Sequence, residues 1–198
     1  MWVAKIGGSL GAAQALRAWL AAFSTDATRA WLLVPGGGAY ADLVRDSQQR
    51  WRYPDAAAHG MALQAMALYA SELAAIEPRL EIRDGLAGCA EGAGRSPRLW
   101  RPTLADAADF STLPADWRVT SDSLALALAC RIGAEGVVLL KSARPPGAEA
   151  RASALAACGY VDEWLPMLMR ERVAPVYWLC RDEVPLAGVN EEHRILAA

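Results

Sequence analysis

Two glycine runs, each behind an apolar segment, hold the residues best placed for chemistry: KIGGSL at residues 5–10 and VPGGGAYAD at residues 34–42. Lys5 ends the first apolar segment, with Gly7, Gly8 and Ser9 after it, and Gly36, Gly37 and Gly38 follow Pro35 in the second. Residues without a Cβ let backbone N–H groups approach phosphate oxygens, a helix start adds partial positive charge, and a lysine at a strand end reaches the same oxygens as a point charge. If the two strands are parallel neighbours, both turns face one crevice, where open α/β sheets hold ligands. Two facing phosphate cradles point to phosphoryl transfer. Neither run is a P-loop, because no glycine precedes Lys and Ser/Thr at that spacing, and residues 36–38 lack the GxGxxG pattern. Taken singly, each run also reads as an ordinary strand-to-helix turn.

Further candidates lie downstream. In DWRVTSDS at 116–123, Thr120, Ser121 and Asp122 precede an apolar helix at 124–131, so one of them is its N-cap and the others point into the space before it. GVVLL at 136–140 reads as a buried parallel strand and ends in Lys141 and Ser142, a second lysine at a strand's carboxyl end. His59 falls in the first turn of a helix, where it reaches an acceptor phosphate if it lines the crevice and otherwise sits on the surface. Cys89, Cys130, Cys158 and Cys180 are far apart with no CxxC, and with only two histidines they form no zinc signature. They read as reduced structural thiols, and no protein-held metal is expected.

The elements that position these residues follow from periodicity. Residues 1–6, 31–34, 80–83, 98–101, 136–140 and 176–180 read as strands, and 12–23, 39–52, 56–76, 124–131 and 163–172 as helices. Leu16, Trp19, Leu20 and Phe23 share one face of the first helix, and Asp55 caps the helix at 56–76. Residues 91–96 read as loop, and 144–151 as a loop that covers a ligand. Strand–helix alternation gives a three-layer αβα sandwich with a mostly parallel central sheet. With 54% hydrophobic and 21% charged residues the chain is not disordered, and a net charge of -2 leaves no basic footprint for nucleic acid. A small-molecule partner is expected. No apolar run spans a membrane and no targeting segment is present, so a cytoplasmic protein is expected. Eight tryptophans and the apolar helix at 56–76 exceed what one small core commonly hides, which predicts a homodimer.

In this order, KIGGSL, PGGG at 35–38 and TSDS at 120–123 resemble the amino acid kinase superfamily, which includes acetylglutamate, aspartate, uridylate and isopentenyl phosphate kinases. The resemblance runs over nearly the whole chain. It implies an acceptor lobe at 1–115 followed by a nucleotide lobe at 116–198, with ATP and Mg²⁺ as cofactors and pairing through acceptor-lobe helices. By the same resemblance Lys5 neutralises the transferred phosphoryl, Gly7, Gly8 and Ser9 hold nucleotide phosphate, Gly36, Gly37 and Gly38 hold the acceptor, and Asp122 orients the lysines. Lys5, Gly8, Gly37, Asp122 and Lys141 are therefore expected in one crevice.

Two departures stand out. Many family members have Thr or Ser then Asp after the strand matching 137–140, and a second catalytic lysine before the last helix. Here those positions hold Lys141 and Ser142, and Val161 and Asp162. Lys141 supplies the missing charge from another strand end. AHGMALQAM at 58–66, TSDSLALALA at 120–129, LLKSA at 139–143 and YVDEWLP at 160–166 are similar to the methanofuran-pathway kinases and their homologues in methylotrophic bacteria. Those archaeal enzymes convert an aminomethylfuran-methyl phosphate to its diphosphate. The expectation is an ATP-dependent kinase acting on a phosphate monoester such as (5-(aminomethyl)furan-3-yl)methyl phosphate. The alternative is a noncatalytic oxyanion- or nucleotide-binding member. Two lysines with Asp122 favour catalysis, since an anion store needs no acid beside its anion. Asp162 suits an acceptor's ammonium or Mg²⁺, or else caps the helix at 163.

Overall fold

Apolar segments without polar alternation, such as WLLVP and GVVLL, are stable as strands only when both faces are covered, and the chain supplies helices for both. The computed structural model describes residues 1–10, 13–90, 96–147, 150–171, 174–183, 185–186 and 189–197. In order, the elements are β1 (Trp2–Ile6), α1 (Ala13–Thr25), β2 (Trp31–Pro35), α2 (Gly38–Trp51), α3 (Asp55–Ile76), β3 (Glu81–Asp84), α4 (Gly85–Ala90) and β4 (Arg98–Arg101). Then come α5 (Asp106–Asp109), α6 (Ser121–Arg131), β5 (Gly136–Lys141), α7 (Ala152–Ala157), α8 (Leu165–Glu171), β6 (Val176–Cys180) and β7 (Arg194–Ile195). Among the described residues the strands form one sheet in the order β3-β4-β2-β1-β5-β6-β7. All pair in parallel except β7, which runs antiparallel along β6.

Each face of the sheet carries its own core. Leu16, Trp19, Leu20 and Phe23 of α1 pack with Ala4, Ile6, Leu33 and Leu140. On the other face Val3, Val34, Val137 and Leu139 pack with Leu124, Ala125 and Leu128 of α6. The result is a three-layer αβα sandwich. Because strand side chains alternate between faces, Lys5 shares the α6 side with Val3, and Lys141 shares it with Val137 and Leu139. Lys5 is paired in register with Leu139, so the two lysines emerge on the same face of neighbouring strands, near their carboxyl ends.

Several element boundaries differ from expectation. The first glycine run opens a 3₁₀ turn at Gly8–Leu10 and not α1, whose helix begins at Ala13. The α1 dipole therefore does not start at these glycines. Asp55 is the first residue of α3 and not its cap; its carboxylate accepts from Gln48 Nε2 at 2.7 Å. α6 starts at Ser121, three residues early, so Asp122 lies inside its first turn. α4, α7 and β7 have no counterpart in the periodicity. Residue 12 at an expected helix start, residues 91–95 and 148–149 of the expected loops, and residue 172 at an expected helix end lie outside the described residues. The four cysteines are free, and burial pushes the Cys89 thiol up to about 12, as suits a reduced core residue. Among the described residues, no helix is long and apolar enough to cross a membrane.

Candidate active site at the carboxyl ends of the central strands

Adjacent parallel strands β1 and β2 end in the two glycine turns, and the turns pack against each other. A Cβ on Gly8 would stand 2.4 Å from the Gly38 nitrogen, and one on Gly36 would stand 2.7 Å from the Gly8 nitrogen. Backbone contact this close admits only glycine. Gly36 N–H donates to the Ile6 carbonyl at 2.8 Å, which fixes one turn on the other. Gly38 opens α2 with a φ of 54°, a left-handed conformation that side chains resist.

Beside the turns, Asp122 joins the two lysines. Its carboxylate lies 2.9 Å from Lys5 Nζ through one oxygen and 2.6 Å from Lys141 Nζ through the other. All three side chains are nearly buried, and Lys141 also donates to the Tyr160 carbonyl at 2.6 Å. Burial alone would raise the Asp122 carboxyl. The charge of Lys141, then that of Lys5, outweighs it and holds the group well below the usual carboxylate range. Burial lowers the Lys141 ammonium, with Asp122 opposing and Lys5 adding to the effect. One carboxylate between two ammonium groups leaves the trio formally positive and open to an anion.

Two cavities meet at Lys5 of this trio. One, of about 290 Å³, is lined by both glycine turns together with Lys5, His59 and an apolar floor of Leu63, Met66 and Leu124. The other, of about 440 Å³, holds Asp122, Lys141, Ser142 and Tyr160, and shares Lys5 and Ser9 with the first. Gly8, Gly36, Gly37 and Gly38 all line the first cavity. Gly7 sits behind, where a Cβ would come within 3.0 Å of the Leu140 carbonyl. Burial pulls the His59 pKa down, against the charge of Asp116, so its imidazole is a neutral partner. Among the described residues no group of three or more metal-ligating side chains occurs.

Asp162 lies in the second cavity, away from the glycine-turn cavity where an acceptor contact was expected. One of its oxygens accepts from Thr120 N–H at 2.9 Å, Thr120 Oγ1 at 3.1 Å and Ser123 N–H at 2.9 Å. The other accepts from Ser123 Oγ and from Leu165 N–H at 2.9 Å. It thus caps α6 and α8 together. Thr120, at the N-cap position of α6, makes no side-chain cap of its own.

No protein-family profile and no curated protein matches the chain by sequence. Solved structures do match. Uridylate kinase from Archaeoglobus fulgidus superposes with a TM-score of 0.68 at 15% identity, covering 90% of each chain. Isopentenyl phosphate kinase gives 0.60 at 12% identity over 91% of each chain. Aspartate kinase from Synechocystis gives 0.62 at 14% identity, covering all of this chain and 40% of the other. The fold is amino acid kinase-like.

On this amino acid kinase-like fold, three site residues escaped the sequence. Arg45 of α2 stacks over the Trp117 indole at 4.2 Å, and both residues line both cavities. Tyr160 lies under Lys141, and its hydroxyl donates to the Ala143 carbonyl at 2.9 Å. Arg45 reads from sequence as one more charge on the polar side of α2. The one available signal is its position two turns beyond a glycine run, on the same side as Asp42.

Proposed function

We propose that the protein is an ATP-dependent kinase that transfers the γ-phosphoryl group to a phosphate monoester. One observation carries this reading: Asp122 holds Lys5, which borders both cavities, beside Lys141, which borders the larger one. A donor phosphate chain in the larger cavity, against Ser9 of the first turn, and an acceptor phosphate on Gly36, Gly37 and Gly38 would bring both reacting groups to Lys5. The division into an acceptor lobe at 1–115 and a nucleotide lobe at 116–198 follows the same line.

In the transfer, the bond from the γ-phosphorus to the β-phosphate bridging oxygen breaks, and its electron pair leaves on that oxygen. A new bond forms to an ionised oxygen of the acceptor phosphate. No proton moves, because a monoester's second pKa is about 6 and its oxygen is already ionised at neutral pH. This agrees with Asp122, whose oxygens both face ammonium groups and make it a poor base. An alcohol acceptor would bring a proton that the trio has nowhere to place. Lys5 and Lys141 stabilise charge that spreads over the transferring oxygens, and N–H groups of the glycine turns orient the phosphates. Mg²⁺, when bound on the nucleotide phosphates, neutralises part of their charge; Asp122 is taken by the lysines, so its ligands would be chiefly phosphate and water.

The apolar floor beneath the glycine turns suits a small flat acceptor body. The resemblance to the methanofuran-pathway kinases names (5-(aminomethyl)furan-3-yl)methyl phosphate as the first acceptor to try. Asp42 and Asp116 line that cavity, so recognition of an ammonium falls to them and not to Asp162. The protein pairs as a homodimer in this reading. Calorimetry with ATP and Mg²⁺, followed by ADP release against a panel of phosphate monoesters, tests it. Turnover is expected with a phosphorylated acceptor and not with its dephosphorylated analogue. Nucleotide binding without turnover for any acceptor would instead mark a noncatalytic binding protein.

A further inference from the structure

Among the described residues, two cations border both cavities, Lys5 and Arg45, and they spend their charges differently. Lys5 is nearly buried and committed to Asp122. Arg45 is 43% exposed, and its ion partner is Asp42, one helical turn back at 3.1 Å and itself 72% exposed. A pair this exposed is weakly held, so a competing anion separates it easily.

The rest of the Arg45 environment is built more firmly. Its guanidinium lies 4.2 Å from the centre of the Trp117 ring. Stacking on an indole face holds the guanidinium plane while its N–H groups stay free at the edge. Trp117 is itself fixed, since its Nε1–H donates to Gln48 Oε1 at 2.6 Å. Gln48 Nε2 in turn donates to Asp55 at 2.7 Å and to the Tyr53 carbonyl at 3.2 Å. Three segments therefore hold one indole, and the indole holds the arginine where it borders both cavities. A forked donor with a fixed plane and a loosely held counter-ion is the arrangement that suits a phosphate.

We propose that Arg45 is a catalytic residue that grips the phosphoryl group as it passes between the cavities, leaving Asp42 while it stays stacked on Trp117. The assignment rests on the phosphoryl-transfer reading above and adds a third cation to the transfer step written there. Lys5 meets the group from the strand end and Arg45 from α2. Asp42 is then a restraint on Arg45, and its removal strengthens anion binding.

Binding of inorganic tripolyphosphate can be followed by calorimetry on the wild type and on Lys5→Ala, Arg45→Ala, Arg45→Lys and Asp42→Asn. The expected results are a loss of 10-fold or more in Arg45→Ala, poor recovery in Arg45→Lys, and a gain of about 3-fold in Asp42→Asn. A merely structural Asp42–Arg45 pair would make the alanine and asparagine variants weaken together. Losses of like size in both, or binding unchanged in Arg45→Ala while Lys5→Ala abolishes it, overturn the assignment and leave the kinase reading standing. A wild type that does not bind tripolyphosphate overturns both. Unchanged thermal unfolding in the half-exposed Arg45 variants shows that the fold is intact.

Discussion

At the scale of residues, Lys5 and Lys141 share one carboxylate and so keep a net positive charge for an anion. A charge contact that strengthens as the phosphoryl loosens raises turnover more than it raises ground-state affinity. Lys5→Ala is therefore expected to lose on the order of 10²-fold or more in turnover, with a smaller change in nucleotide affinity. Single-turnover kinetics and nucleotide calorimetry on the same variant check this, and unchanged turnover would remove the role. Lys141 adds a pH test. Burial lowers its pKa below the ordinary 10.5, so its proton leaves earlier as pH rises. Turnover is expected to have an alkaline limb below pH 10.5, which Lys141→Arg moves upward, because a guanidinium stays charged. Between its folded and unfolded values Lys141 binds fewer protons in the folded chain, so its contribution to stability rises with pH there. Asp122 works in the acid range. Its folded value is depressed, so its contribution is present above its unfolded value and is lost as pH falls through the folded one. Denaturant unfolding at pH 7 and at pH 3 is expected to show that loss, and the loss should shrink in Asp122→Asn.

At the scale of elements, Asp162 ties the N-termini of α6 and α8 together through five hydrogen bonds. Asp162→Asn keeps the shape but turns an amide nitrogen toward backbone donors. Loss of capping commonly costs about 0.5–2 kcal/mol per helix, and removal of a charge whose burial raises its own pKa returns part of that. A net loss of about 1–2 kcal/mol lowers the midpoint of thermal unfolding by roughly 2–8 °C in a domain of this size, measurable by circular dichroism. An unchanged midpoint would mean that the caps are redundant. The double cap also marks where sequence reading stops: Asp162 reads from sequence as a cap for the helix that follows it, as Leu165 N–H shows, but not for α6. β1, β2, β4, β5 and β6 were legible because each is a short apolar run bounded by turn residues, and the lysine pair was legible because it ends two of them. Thr120, Ser121 and Asp122 also looked like a capping cluster. The cap comes instead from 42 residues away in sequence, a pairing that local pattern does not encode. Arg45 was missed for the same reason, since only the fold sets Trp117 beneath it. β7 is a two-residue edge strand and α7 a six-residue helix, both too short for periodicity to register.

At the scale of the whole molecule, α3 poses the remaining question, because it is apolar on its outer side as well as its inner one. Ala57, Met61, Gln64, Leu68, Ser71 and Ala75 are all exposed, and their spacing alternates between four and three residues. That is the interval of a coiled-coil seam, and none of the six is charged. The set is also symmetric about Met66: an antiparallel copy sets Ala57 against Ala75, Met61 against Ser71 and Gln64 against Leu68. Small residues then meet at both ends and larger ones near the middle, and each pairing occurs twice, as two-fold symmetry requires. Leu68 is 57% exposed and Met61 40%, and Leu43 and Trp51 of α2 are more exposed still. The protein is expected to run as a dimer by light scattering at micromolar concentration. Leu68→Glu buries two like charges at the centre of the seam and is expected to give a folded monomer, because the residue is free of the monomer's core. The opposite side of the same helix carries His59, Ala62, Leu63 and Met66 into the glycine-turn cavity. A seam along the outer side of α3 would therefore back that cavity's wall. Leu68→Glu is expected to raise the KM for the acceptor by several-fold and to leave nucleotide affinity unchanged, since the Lys141 cavity contains no α3 residue. A monomeric wild type would remove the seam. A monomeric Leu68→Glu with an unaltered acceptor KM would keep the seam and separate it from the site.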